Sequence, residues 1–378
     1  MSFIFAAGRA VLNFIYLFHK LFPVKKKISI ISRQSDSPSS DVEMLKEELE
    51  KLSPETEVTV SCRMIGSGLK GKISYIFHMV TVQMHLFATS ETVVLDGYCI
   101  GACMLKHRKD LKIVQMWHAM GALKKFGWAA VGEEEGRSKA VAEGMRMHKN
   151  YSVIFVSSRA CIEPMARAYD CGESLLKVMP LPRTDLILKE DMKNESRRRI
   201  YEEYPALKEK KVILYAPTFR KNEDMSPYIK KLIDAVDYEK YSLVIKLHPL
   251  DEEKTDPGKA LADHKFNSDE MLSVSDCVIT DYSAIVFEAA LAGKPIFMYV
   301  PDREKYDHER GFLINPEKEI PAFWSEKAEE IMEAIEKEDY DLDKIKAFAQ
   351  KYVEAKEDNT REMAGYILGI HEKGLKEA

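Results

Sequence analysis

Short apolar runs recur along this chain, with polar, helix-forming stretches between them. KISIIS (27–32), TEVTVSC (56–62), TVVLDGY (92–98), KIVQMWH (112–118), VIFVSS (153–158) and LLKVMPL (175–181) read as strands, most of them apolar almost throughout. Helices are predicted between them, over 37–51, 72–88, 138–149 and 160–170. Residues 187–210 are highly charged, show no strand pattern and predict a helix and connector. The alternation then restarts with KVILYAP (211–217), YSLVIKLHP (241–249), DCVITD (276–281) and KPIFMYV (294–300). The tail over 325–378 predicts charged helices, with apolar spacing at Ile331, Ile335, Ile345, Phe348 and Tyr352. Strands alternating with helices make an α/β protein with parallel sheets covered on both faces. The restart divides it into two Rossmann-like domains facing across a cleft, with ligand held at the sheets' carboxyl ends. The expected segments are 1–26, 27–190, 191–210 as connector, 211–325, and 326–378 as C-terminal helices.

The first 27 residues, MSFIFAAGRAVLNFIYLFHKLFPVKKK, contain no acidic residue. Phe3, Phe5, Val11, Phe14, Ile15, Leu17, Phe18 and Leu21 form a broad apolar face. Arg9, Asn13, His19 and Lys20 interrupt it, so it is too polar for a spanning helix of about 20 apolar residues. No basic start or small-residue cleavage site marks it as a signal peptide. Two readings remain: an interfacial helix with lysines set for anionic lipid, which fits better, or a helix packed on the body of the protein.

Composition adds little. The net charge of −5 over 378 residues gives no support for nucleic acid as the main partner, and none is expected. Six cysteines (62, 99, 103, 161, 171, 277) show neither a CxxC pair nor zinc spacing, and read as free thiols in a reducing compartment such as the cytoplasm.

Candidate chemistry gathers at strand ends. The strand before Asp281 runs into the turn Asp281-Tyr282-Ser283-Ala284 and then a helix, an arrangement that binds phosphate at a helix N-terminus, though any buried βα unit shares it. His118 closes one strand and His248 another, one in each half of the chain. A lone strand-end histidine is more often bonded to backbone. Two at equivalent edges fit a general base or a cationic clamp on phosphate. Pro217 and Thr218 with Arg220, Pro182 and Arg183 with Asp185, and Lys246 add basic and hydroxyl groups at further edges, pointing to an anionic ligand. No Walker lysine loop, GxGxxG, GxSxG or metal cluster occurs, which argues against a kinase, a dinucleotide oxidoreductase and a serine hydrolase.

WHAMGALKKFG, PLPRTD, YAPTFR, IKLHP and ITDYSAIVFEAALAGKPIFMY…EKYDHERGF, in this order over roughly residues 90–315, resemble the CDP-glycerol glycerophosphotransferases of teichoic-acid synthesis. The resemblance implies a GT-B-like fold with an N-terminal acceptor-side domain and a C-terminal CDP-polyol-binding domain. It also implies peripheral attachment at the cytoplasmic face of the membrane. The implied reaction moves glycerol phosphate or ribitol phosphate from CDP-glycerol or CDP-ribitol to an undecaprenyl-diphosphate-linked acceptor, releasing CMP. By position, His118, Ala119, Met120, Gly121 and Ala122 match the first donor-contacting motif, with His118 the implied base. Arg183, Pro217, Thr218, and Lys246, Leu247 and His248 match further motifs. Ser283 and Ala284 stand for a Ser-Ser pair, and Glu288 for a common aspartate. His248, Lys246, Arg183 and the amides near Ser283 are expected at the diphosphate, and Glu288 at the cytidine ribose. WHAMGALKK in place of the glycerol enzymes' WHGTPLKK favours CDP-ribitol relatives.

No cofactor is expected, and nothing in the sequence supports a magnesium site. The rival reading is a GT-B glycosyltransferase using a nucleotide sugar. Many retaining members carry a glutamate eight residues after the first, where this chain has Ile296. A membrane-bound scaffold with a degenerate cleft is the third reading.

Overall fold

The computed structural model describes residues 2–134, 136–218, 220, 224–247, 255–303 and 311–369. The chain forms two compact units. One holds Met1–Ala119, Lys125–Arg183 and Glu354–Ala378, the other Met120–Lys124 and Thr184–Val353.

The first unit is built on β1 (Lys27–Ser32), β2 (Glu57–Cys62), β3 (Thr92–Leu95), β4 (Lys112–Gln115), β5 (Val153–Val156) and β6 (Leu176–Val178). All neighbours are parallel, in the order β2-β1-β3-β4-β5-β6. Every residue of β1, β3 and β5 is buried, which is why these strands are apolar without alternation. Strand order reverses between β1 and β3, and an open α/β sheet has its ligand crevice at such a switch point.

The second unit repeats the plan with β7 (Lys211–Tyr215), β8 (Tyr241–Ile245), β9 (Leu261–Ala262), β10 (Cys277–Thr280), β11 (Ile296–Tyr299) and β12 (Phe323–Ser325). These run parallel in the order β12-β11-β10-β7-β8-β9, with the switch between β7 and β10. Ile213, Leu243, Ile279 and Phe297 from the strands pack with Ile229, Leu232, Ile331 and Ile335 from helices to make its core. The ten strands expected from the sequence form. β9 and β12 were not visible there, being two and three residues long and mostly half-buried.

Helices cover the sheets as the apolar spacing predicts. Helix Ser40–Leu52 buries Val42, Leu45 and Leu49 on one face and carries Asp41 and Glu43 in its first turn, favourable to its dipole. Helix Asn359–Leu368, from the C-terminal segment, packs on it, and Arg361 Nη1 donates to Glu48 Oε1 at 3.0 Å. The stretch read as one helix over 72–88 is Gly68–His78, a π-turn at Met79–Gln83 and Met84–Thr89.

Helix Ser2–His19 is turned inside out relative to an ordinary surface helix. Its polar residues face the first unit: Asn13 Nδ2 donates to Met104 O at 3.0 Å, His19 Nε2 lies 2.8 Å from Val80 O, and Tyr16 is buried beside His107. Phe3, Phe14, Leu17, Phe18 and Leu21 point outward, each more than half exposed. Among the described residues, all but three of the exposed large apolar side chains lie within 3–24 and 64–82. Among the described residues no helix is long and apolar enough to cross a membrane. All six cysteines are free; Cys62 and Cys171 are half-buried and the rest buried.

Candidate active site

In the first unit, β4 ends at Gln115 and the chain leaves the sheet through Trp117. Its φ of 67° lies in the left-handed region, which a bulky residue occupies only under constraint. The constraint is local. Gln115 Oε1 accepts from the Trp117 amide at 3.0 Å, while its Nε2 donates to Gly97 O at 2.9 Å. The indole stacks on Phe126 with centroids 4.3 Å apart.

That bend delivers His118. Its Nδ1 lies 2.7 Å from the main-chain oxygen of Asp96. A carbonyl only accepts, so the proton sits on Nδ1 and Nε2 keeps its lone pair. The Gln34 carboxamide, 3.2 Å from the same Nδ1, must then turn its oxygen to the ring. Burial holds the imidazole below the ordinary histidine pKa, the Asp96 carbonyl opposes this, and the Arg183 charge adds to the lowering. At neutral pH the ring is an uncharged base.

Arg183, expected at a diphosphate, is turned to Asp41. Its amide reaches Oδ1 and its Nε reaches Oδ2, both at 2.8 Å, and Nη2 also contacts His118 O at 3.3 Å. The Asp41 carboxylate is 2 % exposed, so this pair braces the loop that carries His118 from inside.

Asp96 is the other unusual group here. Burial lifts its carboxyl to about 6, against bonds from the Ser32 hydroxyl and Arg33 amide that pull it down. A folded pKa above the unfolded one means the folded state holds the proton more tightly. Stability therefore falls as pH rises from about 4 through 6, by at most about 3 kcal/mol for a shift of this size. The expected result is that Asp96→Asn flattens this slope, so its urea midpoint gains on the wild type between pH 5 and 7.5. Parallel slopes would refute the buried-charge assignment.

In the second unit, Met120–Lys124 packs against the helix Ile285–Leu291 and the strand-like segment at Phe312. Gly121 has φ 65°, and a Cβ there would lie 2.3 Å from the Phe287 ring, so this position takes glycine for both backbone and space. Leu313 N donates to Leu123 O at 2.8 Å, and Lys124 pairs with Phe312 in an antiparallel bridge. Met120 and Ala122 are buried. Ala119, which immediately precedes them, belongs to the first unit.

Pro217 and Thr218 follow β7 at the switch point. Thr218 donates its amide to Asp281 Oδ1 at 2.9 Å and accepts from Lys124 Nζ at 2.9 Å. Beneath them Arg220 grips Asp302 with Nε–Oδ2 at 2.6 Å and Nη2–Oδ1 at 3.1 Å, and meets Asp281 Oδ2 at 3.0 Å. Across the switch, Ser283 and Ala284 precede the helix Ile285–Leu291, with Ser283 Oγ 3.5 Å from the Ile285 amide. Glu288, in that helix's first turn, is 3 % exposed.

Lys246, also expected at the diphosphate, directs its ammonium to Asp263 O at 2.8 Å, Asp263 Oδ2 at 2.9 Å and Phe266 O at 2.5 Å. Three donors on three oxygens fill its capacity. Leu247 is half-buried against the core. His248 lies outside the described residues, as does the stretch 304–310 of the last motif. Asp41, Asp96, Gln34 and Asp302 were not singled out from sequence, where acidic and amide residues in helices and loops carry no signal of their partners. Among the described residues no cluster of His, Cys, Asp or Glu is suited to a metal ion.

The teichoic acid ribitol-phosphate primase of Bacillus spizizenii is 31% identical over 89% of this chain and 89% of its own. The teichoic acid glycerol-phosphate primase of Bacillus subtilis is 27% identical over 71% of each. In fold, the chain matches the wall teichoic acid polymerase TagF with a TM-score of 0.76 at 18% identity, covering 100% of this chain and 98% of that one. It also matches a UDP-GlcNAc 2-epimerase from Neisseria meningitidis, at 0.59 and 12% over 91% and 99%. The two parallel six-stranded sheets are thus GT-B-like. The profile of one family matches residues 14–365, nearly the whole of what is described, and the chain belongs to that family, the CDP-glycerol:poly(glycerophosphate) glycerophosphotransferases.

Proposed function

We propose that this protein transfers ribitol phosphate from CDP-ribitol to a hydroxyl of a lipid-linked teichoic-acid precursor at the cytoplasmic membrane surface. Family membership carries the coarser statement: it is a transferase that moves a polyol phosphate from a CDP-polyol in teichoic-acid synthesis. The choice of ribitol rests on the ribitol-phosphate primase, which aligns with this chain along 89% of both lengths, and on the WHAMGALKK form of the first motif.

In this reading the substrate hydroxyl oxygen attacks the β-phosphorus of the CDP-polyol. A phosphorus–oxygen bond forms as the bond to the bridging oxygen breaks, and CMP leaves with that electron pair. His118 Nε2 takes the hydroxyl proton, because its lone pair is fixed by the Nδ1–Asp96 bond. Such transfers need positioning and charge neutralisation more than covalent help. His248 is assigned to the diphosphate as in the sequence reading. Lys124 and Thr218 take the part first given to Lys246, since the Lys124 ammonium is bonded to Thr218 just beyond the carboxyl end of β7. Ser283 and Ala284 contact the donor from the other side of the switch, and Glu288 the ribose. Arg183 acts as a brace on the His118 loop.

The outward apolar faces of Ser2–His19 and Gly68–His78, with Lys70 and Lys72 on the latter, support the membrane assignment. Sedimentation with vesicles containing anionic phospholipid tests it; a protein left in the supernatant would contradict it. The reaction is tested by CMP release from CDP-ribitol and, separately, CDP-glycerol, on a lipid-disaccharide substrate with and without one priming glycerol phosphate. Ribitol-dependent CMP supports the proposal. Turnover with CDP-glycerol alone corrects the polyol, and turnover only with UDP-sugars removes the reading.

A further inference from the structure

Buried side-chain polar atoms normally find a hydrogen-bond partner, and a group that does not calls for water, an ion or a ligand. Five such atoms without one gather in the first unit: Arg33 Nε, Tyr75 OH, Gln83 Nε2, Asp96 Oδ1 and Tyr98 OH. They are neighbours. The Tyr75 hydroxyl faces Gln83 and Arg33 without closing a well-formed bond to either. The Arg33 guanidinium lies 5.6 Å from the Tyr98 ring, with Arg137 5.3 Å from it. The Asp96 carboxylate takes the Arg33 amide. Gln83 is fully buried and belongs to the π-turn Met79–Gln83, the kind of helix insertion that is frequent at functional sites.

Their position matters as much as their number. Arg33 directly follows β1 and Asp96 directly follows β3, the two strands that flank the switch point. Asp96 also supplies the carbonyl that fixes His118. The open valences are four donors, one of them on Arg33, and one carboxylate oxygen, with the Arg137 guanidinium beside the Tyr98 ring. This set is complementary to a compact unit with several hydroxyls and a phosphate. A nucleobase would want a flat apolar slot, which the cluster does not supply. The helix that carries Tyr75 and leads into Gln83 exposes Leu69, Ile73, Ile76 and Phe77 on its other side. One element thus offers a polar group inward and an apolar face outward, as an amphiphile's headgroup and tail require.

We propose that this cluster is the subsite for the acceptor substrate, and that it binds a hydroxyl-rich, phosphate-bearing headgroup unit next to His118. The proposal rests on the polyol-phosphotransferase reading of the site.

Tyr75→Phe removes a hydroxyl that lacks a well-formed bond, and Gln83→Leu removes the Nε2 that lacks one together with Oε1, which accepts only a weak bond from Cys99 Sγ at 3.9 Å. The expected result for each is a KM for the lipid-disaccharide substrate raised about tenfold, the loss of one hydrogen bond. KM for the CDP-polyol should be unchanged, and the urea midpoint equal to or above wild type. A lowered midpoint with unchanged substrate KM would mean that buried water or packing alone explains the cluster, and would overturn the proposal. Binding of a soluble disaccharide carrying glycerol phosphate, measured by calorimetry, separates this from failure of the reaction itself. If wild type releases no CMP from any CDP-polyol, the function is wrong; the subsite stands only if wild type binds this probe and Gln83→Leu does not. No binding by wild type, or equal binding by both, sinks the subsite.

Discussion

His118→Ala should lower kcat for CMP release by about 10³-fold, within the range that removal of a general base produces. The KM for the CDP-polyol should change little, because the lost group acts on the attacking hydroxyl. The geometry also fixes the pH dependence. The folded imidazole titrates below the ordinary histidine value, chiefly through burial, so the base form persists as pH falls from 8 through 6.5. Activity on the acid side should then decline with a midpoint below the ordinary histidine value, and that limb should vanish in the variant's residual rate. His118→Gln serves as a control on volume and should be about as inactive as alanine. Near wild-type turnover in either variant would remove His118 from the role of base.

Part of this site could be read in the chain before any coordinates. Strands such as KISIIS and TVVL are buried on both faces, and a parallel sheet in that setting imposes a continuous apolar run. Strand ends were therefore visible, and with them His118, Thr218 and the turn at Ser283. Where a strand-end side chain goes was not. Lys246 and Arg183 sit in basic motifs, yet their partners are Asp263, 17 residues away, and Asp41, 142 residues away. Those partners are chosen by how elements pack, and no local pattern records that choice. The left-handed Trp117 and the π-turn at Met79–Gln83 are likewise products of tertiary constraint. β12 illustrates the lower limit, since three residues at a sheet edge, two of them half-buried, leave too short a run to register.

Arg220→Leu is expected to cost about 3–5 kcal/mol of stability, as breaking a buried ion network does when charges are left behind. Arg220 is 6 % exposed, and the Asp281 and Asp302 carboxylates it serves are 2 % exposed each. Its Nη1 also donates to Thr218 O at 2.9 Å, so one guanidinium closes four contacts under the β7 turn. Leucine fills most of the volume but satisfies none of them, and two carboxylates then face each other without a cation. Arg220→Lys keeps the charge and loses the planar fork, so it should fall between wild type and leucine. Adding Asp302→Asn to Arg220→Leu should recover part of the loss, because it removes one of the stranded charges. The urea midpoint at pH 7.5 checks all three. A functional signature should accompany the thermodynamic one: Asp281 holds the Thr218 amide, so a loosened network should raise the CDP-polyol KM more than it lowers kcat. If Arg220→Leu keeps the wild-type midpoint, or the double variant is less stable than the single, the ion network does not hold this turn together.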